Sequence, residues 1–393
     1  MGAGNTRPSD SASDSASDTE PQRGPLVASP PPPLVTTGLS AVDGAKGVLT
    51  YRGYPVEVLH EARIAYADAV GLLLDGELPA PTGFESLAAQ RSESARPVTS
   101  AAQGRGFVEE RWALELLPTH IHDLIQAHAG QLPPMALLRA CISLADDKSD
   151  PHAWIAHVGN AVAAIGATGA GRSPVTSLPT RTARMLASIV GDDDGADALD
   201  ACLVLHLDHA LNPSTLACRV VASTGAGLSA CIAAGVAALE GPLHGGASTE
   251  VGRTLAALAS PDDVEPWLAA ALAARRRIPG FGHPIYQVLD PRARILKGLA
   301  EQVARRRGSQ YFDVASRLED CVWQQKRLHP NVDFYAATLY ATLGIPLELH
   351  TPLFAAARVS GWCAHALEQQ RRGRLLSPEA SYDGPARRTS SPG

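Results

Sequence analysis

The sequence predicts an all-α protein, and three observations carry that expectation. Alanine, leucine, glutamate and arginine, all strong helix formers, dominate most of the chain. Apolar residues recur at three- and four-residue steps, as at Leu72-Leu73-Leu74, Leu137-Leu138 and Leu203 to Leu207. Strand-like alternation is confined to one short stretch near the start.

Residues 1–35 form a tail in which Ser and Asp crowd between Ser9 and Asp18 and prolines between Pro30 and Pro33. Such a segment cannot bury enough apolar surface to offset its ordering entropy, so it is expected to be disordered, as are residues 386–393. Gly38 to Gly44 and Gly47 to Tyr54 are short alternating runs separated by Asp-Gly and Gly turns, which predict small strands or a hairpin. Helices are expected beyond them, with two exceptions. Arg91 to Arg105 reads as an exposed insertion. Gly166 to Ser173 has three glycines but neither a dinucleotide fingerprint nor a phosphate loop, and reads as a plain loop. The stretch from Ala217 to Leu239 is apolar nearly all round, which predicts a helix buried in a bundle or a subunit interface.

With 393 residues, 45% of them hydrophobic, the chain can bury a sizeable core as one large or two unequal domains. A net charge of -6 gives no general reason to expect nucleic acid as partner. No apolar run is long enough to cross a bilayer, and the start lacks a basic segment followed by an apolar one, so a cytoplasmic protein is expected. The six cysteines, at 141, 202, 218, 231, 321 and 363, form no Cys-x-x-Cys pair. Buried thiols in a reducing compartment are the expectation, with no metal.

Four histidines sit where the backbone is specially constrained. His206 and His209 lie three residues apart in Leu205 to Asn212, a spacing that puts both on one helical face, either as a satisfied helix-end pair or as a polar wall for a ligand. His244 lies in Gly241-Pro242-Leu243-His244-Gly245-Gly246, where proline breaks the preceding helix and the glycines permit a tight turn. A side chain held that way is preorganised to donate a hydrogen bond. His283 repeats the theme in Pro279-Gly280-Phe281-Gly282-His283-Pro284, downstream of Arg275-Arg276-Arg277. The arginines with glycine-rich backbone could hold phosphate, or simply end a helix. In Pro330-Asn331-Val332-Asp333 the proline favours a helix start, with Asp333 in its first turn. Arg358 stands alone on an apolar helix, where an arginine is seldom buried without an anionic partner.

Five of these segments, in order, resemble the citrate synthase family: Asp208 to Thr215, Gly241 to Ala247, Pro279 to Arg292, Asn331 to Tyr335, and Thr351 to Glu368. The resemblance spans about Gly38 to Pro385. It implies an all-α homodimer with a large helical domain, residues 36–245 and 346–385, and a smaller mobile one, residues 246–345. It also implies condensation of acetyl-CoA with oxaloacetate and hydrolysis of the citryl thioester, without a metal. Asp333 then corresponds to the base that takes a methyl proton, His244 to the donor at the thioester oxygen, and His283 to the group that polarises the oxaloacetate carbonyl. His209, Arg292 and Arg358 correspond to oxaloacetate contacts. Ile278, Pro279, Gly280, Phe281 and Gly282 would receive the adenine of CoA, with Arg277, Lys326 and either Arg275 or Arg276 near its phosphates.

One departure stands out. The family carries an Arg-Pro-Arg motif ahead of a tyrosine near the C-terminus, its leading arginine reaching the partner subunit's substrate; here Ser377 and Glu379 occupy the two arginine places. Losing a charged partner for a carboxylate costs on the order of 2–3 kcal/mol of binding. Arg371, Arg372 and Arg374 lie near enough in sequence to compensate. The alternatives to citrate formation are 2-methylcitrate formation from propionyl-CoA and a catalytically weak paralogue that binds CoA. A metal-dependent hydrolase is disfavoured because no His-Glu-x-x-His helix is present.

Overall fold

Among the described residues, three short antiparallel strands precede a succession of helices. The computed structural model describes residues 34–78, 116–147, 149–178 and 180–385. Arg91 to Arg105 and nearly all of the two expected tails lie outside them.

The predicted hairpin is a meander of β1 (Ser40–Asp43), β2 (Val48–Tyr51) and β3 (Tyr54–Pro55). Ser40 pairs with Tyr51 and Thr50 with Pro55, and Leu49 and Tyr51 alternate inward onto the core. Then follow α1 (Val56–Glu61), α2 (Tyr66–Asp75), α3 (Thr119–His128), α4 (Pro134–Ser143), α5 (Pro151–Gly169), α6 (Arg181–Val190) and α7 (Ala196–His206). The second half adds α8 (Pro213–Ser223), α9 (Leu228–Leu239), α10 (Ala247–Ala256), α11 (Val264–Ala273), α12 (Pro291–Arg307), α13 (Tyr311–Lys326), α14 (Val332–Thr342) and α15 (His350–Arg372). Local chemistry sets the starts of several. Asp150, Asn212, Asp290 and Asn331 cap α5, α8, α12 and α14 with side-chain oxygens, and proline occupies the first turn of α5, α8 and α12.

The core is built around α15, whose side chains are buried without a break from His350 to Ala366. It packs against α5, α7, α8 and α9. Trp362 fills the space beside Gly235 of α9, where a Cβ would lie 2.7 Å from the indole. Each fully buried leucine or aromatic side chain contributes about 1.5–3 kcal/mol of transfer free energy, so a helix enclosed all round is a major stabilising element. All six cysteines are buried and free. No helix among the described residues is long and apolar enough to cross a membrane.

Three expectations are corrected. Gly166 to Gly169 is helical, as the end of α5, and only the following turn is irregular. Gly166 is a packing position, because a Cβ there would meet Ile189 and Leu349 at 2.8 Å. Residues 217–239 form two helices, not one, because α8 ends at Ser223 and Gly225 takes a positive φ of 85° before α9 begins. Finally, α7 ends at His206, so His209 lies in the turn beyond it and the two histidines do not share a helical face. His206 is instead a core residue whose Nδ1 lies 2.8 Å from the Cys202 carbonyl and whose ring packs edge-on against Phe354.

Candidate active site

The turn after α7 and the loop before α12 bring His209 and His283 together, with ring centroids 5.5 Å apart. His209 is followed by Ala210, a non-glycine residue held at φ 47°, and its Nε2 lies 3.2 Å from the Tyr286 hydroxyl. His283 has a defined tautomer. Its Nδ1 accepts from the backbone N–H groups of Ile285 and Tyr286, at 3.0 and 3.1 Å, so Nε2 carries the proton of the neutral ring. Burial, and secondarily the charge of Arg292, pushes the pKa of His283 down to about 4. His209 is held well below the ordinary range by burial and then by Arg292 and Arg358. Both rings are therefore neutral donors near pH 7.

Two buried arginines stand behind them. Arg292 is fixed by Asp290 in a two-pronged pair, Nε to Oδ1 at 3.0 Å and Nη2 to Oδ2 at 2.8 Å. Burial opposes the charge of Asp290, but Arg292 outweighs it and keeps the carboxyl below its ordinary value. Arg358 differs. It is 1% exposed, its Nε donates to the His206 carbonyl at 2.7 Å, and its guanidinium lies 4.8 Å above the Phe354 ring. Its two terminal nitrogens hydrogen-bond to nothing among the described residues, and it makes no ion pair there. Burial drops its pKa to about 10, with Asp208 opposing. A buried guanidinium with free donors is a site prepared for an anion.

Asp333 sits in the first turn of α14, as expected from Pro330, with its backbone N–H capped by the Asn331 side chain at 3.1 Å. Its side chain does more than complement the helix dipole. Oδ1 is buried and has no hydrogen-bond partner among the described residues, and burial raises the pKa to about 6 against the opposing charges of Arg292 and Arg358. His244 lies on the turn between α9 and α10, with Nε2 2.9 Å from the Ser214 hydroxyl. Its pKa falls to about 4 through burial, with Arg358 adding to the effect. Phe354 links the two halves: its ring centroid is 6.4 Å from that of His244 and its face carries Arg358.

The Ile278 to Gly282 loop runs beside residues 329–331, and this pairing places His283 and Asp333 on adjoining segments. Gly282 N–H donates to the His329 carbonyl, Asn331 N–H to the Gly280 carbonyl, each at 2.9 Å. Gly280 and Gly282 take φ of 80° and 78°, and a Cβ on Gly280 would lie 2.7 Å from Val251 and 2.9 Å from Phe334. Arg277 is exposed beyond α11, as is Lys326 at the end of α13, and those two helices pack together. Neither side chain contacts the histidines. Ser377 and Glu379 lie in an exposed C-terminal segment, residues 377–385, outside the site of their own chain.

Sequence reasoning missed Tyr286, Ser214 and Asp290 as members of this site. Asp290 carried a signal, since Asp-Pro-Arg places a helix cap and a cation two residues apart. Tyr286 and Ser214 carried none, because their partners lie 77 and 30 residues away.

A protein-family model described as citrate synthase, C-terminal domain, matches residues 33–379. A citrate synthase of Synechocystis is 35% identical over 364 residues, covering 90% of this chain and 89% of that protein. A citrate/2-methylcitrate synthase of Bacillus subtilis is 32% identical, covering 90% and 95%. The citrate synthase of Thermoplasma acidophilum, solved as a ternary complex with carboxymethyl coenzyme A and oxaloacetate, superposes with a TM-score of 0.78 at 26% identity, covering 92% of this chain and 97% of that one. Full-length similarity in both sequence and fold leaves one conclusion: the chain belongs to the citrate synthase family.

Proposed function

We propose that this chain condenses acetyl-CoA with oxaloacetate and hydrolyses the resulting thioester, releasing citrate and CoA. The observation that carries the reading is Asp333, a half-buried residue whose buried Oδ1 has no hydrogen-bond partner among the described residues and whose pKa is raised to about 6. A thioester α-carbon is a very weak acid, more than about ten pKa units above a carboxylate, at about 1.4 kcal/mol per unit. Raising Asp333 from 3.8 to about 6 narrows that gap by about 3 kcal/mol while leaving the group mostly ionised at pH 7. The remainder has to come from a donor at the developing enolate oxygen, and His244 fills that role. His283, with its proton on Nε2, polarises the acceptor carbonyl. Arg358, Arg292 and His209 hold the acceptor's two carboxylates. The enol carbon attacks that carbonyl carbon and the new alkoxide takes a proton. Water then cleaves the thioester, giving citrate and CoA.

CoA lies along Ile278 to Gly282, with Arg277 and Lys326 toward its phosphates. Substrates are enclosed between residues 36–245 with 346–385 and residues 246–345, and closure excludes water that would quench the enol. The active form is a homodimer in the cytoplasm, and no metal enters the reading. The apolar outer face of α9, where Ala237 is exposed, and the exposed segment 377–385 support a second copy. Propionyl-CoA, giving 2-methylcitrate, is a second reading favoured by the similarity to the Bacillus subtilis enzyme. A thiol-reagent assay of CoA release, crossing acetyl- and propionyl-CoA with several 2-oxo acids, tests both. CoA release with oxaloacetate is expected, and none at saturating substrate would overturn the proposal.

A further inference from the structure

The turn between β1 and β2, Asp43 to Gly47, has an assignment that its turn chemistry alone does not explain. Gly44 lacks the positive φ that makes glycine necessary in many turns. What it lacks is room, since a Cβ on Gly44 would collide with the Ile285 carbonyl. Its own carbonyl accepts the Gln287 N–H at 2.9 Å. Gly47 faces the same segment, and a Cβ there would lie 2.8 Å from Val288 and 3.0 Å from the Leu289 carbonyl. The turn therefore lies against residues 285–289, directly after His283. Ile285 is the peptide that matters, because its N–H donates to Nδ1 of His283 while its carbonyl rests on Gly44.

The other end of the same hairpin grips the second histidine's turn. The Ser40 hydroxyl donates to Oδ2 of Asp208 and accepts the Ala210 N–H at 2.8 Å. Those two residues flank His209, and Ala210 is the one held at φ 47°. Tyr51, across from Ser40 in the register, donates to the Leu205 carbonyl at 3.2 Å.

We infer that the N-terminal hairpin is a clamp that positions the acceptor-binding histidines, with Ser40 setting His209 and Gly44 setting His283. It rests on the proposed function for the identity of the ligand, but the clamp itself is a statement about geometry. Ser40 and Gly44 act through other residues, so they are positioning residues. Displacing a polarising group by a fraction of an ångström weakens acceptor use without touching the acyl-CoA side.

Gly44→Ala and Ser40→Ala are compared with Gly53→Ala, which strains the neighbouring turn at φ 88° yet meets nothing within 4 Å. Two readouts are taken: amide hydrogen exchange of residues 284–290, and KM for each substrate with kcat. Gly44→Ala is expected to speed exchange across 284–290 and raise KM for oxaloacetate on the order of tenfold, with KM for acetyl-CoA unchanged. Ser40→Ala is expected to raise KM for oxaloacetate alone, and Gly53→Ala to change neither. Wild-type exchange in Gly44→Ala, or both KM values rising together with a fall in Tm, would overturn the clamp. If the wild type releases no CoA from any acceptor, the functional reading fails, and exchange at 284–290 still decides the clamp.

Discussion

The hydroxyl of Ser214 lies 2.9 Å from Nε2 of His244, and the same oxygen lies 2.7 Å from Oδ1 of Asn212. Oδ1 of Asn212 can only accept, so the hydroxyl proton goes to Asn212, while Trp362 Nε1 donates to the hydroxyl oxygen at 3.3 Å. When Ser214 donates to His244, the neutral ring carries its proton on Nδ1 and can donate that proton to a substrate oxygen. When Ser214 donates to Asn212, Nε2 of His244 must carry the proton and Nδ1 becomes an acceptor. The donation to Asn212 is the second arrangement, so the proposed role of His244 requires the Ser214 hydroxyl to turn from Asn212 to Nε2 when substrate binds.

Ser214→Ala should lower kcat by roughly tenfold, with KM for acetyl-CoA little changed, because a lost hydrogen bond to an orienting group is worth about 1–2 kcal/mol. Steady-state kinetics beside the rate of solvent exchange of the acetyl methyl protons checks this. Both should fall together, and unaltered methyl exchange would remove Ser214 from the enolisation step.

Asp333→Asn should abolish methyl proton exchange while leaving CoA binding in place. It should also change the pH dependence of stability. A carboxyl whose folded pKa is raised from 3.8 to about 6 is over-protonated in the folded state between those values, so it costs the fold most above pH 6 and nothing below 3.8. The variant's stability relative to wild type should therefore improve by roughly 2.4 kcal/mol between pH 4 and pH 8. Urea denaturation at the two pH values measures the difference, and a constant difference would contradict the raised pKa.

The pH profile of kcat/KM should rise with a midpoint near 6, set by ionisation of Asp333. His244 and His283, with pKa about 4, stay neutral through that range and should add no limb between pH 5 and 8. Below pH 6.5 they oppose Asp333 in stability. Their folded forms resist protonation, so stability is full above 6.5 and declines as pH falls toward 4. The absence of a limb near 6 would show that Asp333 keeps an ordinary carboxylate pKa, since the histidines themselves titrate near 4.

Asp290→Ala should destabilise the fold by roughly 3–5 kcal/mol, because it leaves the buried Arg292 charge without its partner. Asp290 also caps α12 and accepts the Val332 N–H at 3.2 Å, joining the start of α12 to that of α14. Thermal unfolding checks the stability loss. KM for oxaloacetate should rise in parallel, since Arg292 loses its orientation.

Much of this molecule is legible in its residues. The hairpin follows from alternation and turn glycines, the start of α14 from Pro330 and Asn331, and the special backbone at His244 and His283 from flanking proline and glycine. The errors share one cause. Gly166 and Gly225 are the same residue type, yet one sits inside α5 because Ile189 and Leu349 crowd it, and the other separates two helices at positive φ. Composition cannot distinguish a glycine chosen for packing from one chosen for conformation. The His206–His209 spacing failed for a related reason: α7 ends between them.

By itself the sequence determined the helical class, the candidate residues on constrained turns, and the family. Each depends on local periodicity, local backbone chemistry, or order along the chain. The tertiary structure alone decided their states. It set the Nε2–H tautomer of His283, the depressed pKa values of the histidines, the raised one of Asp333 and the free donors of Arg358. It also brought Ser40 and Gly44 against the two histidine turns. Burial and charge act between groups far apart in the chain, so no stretch of sequence contains them.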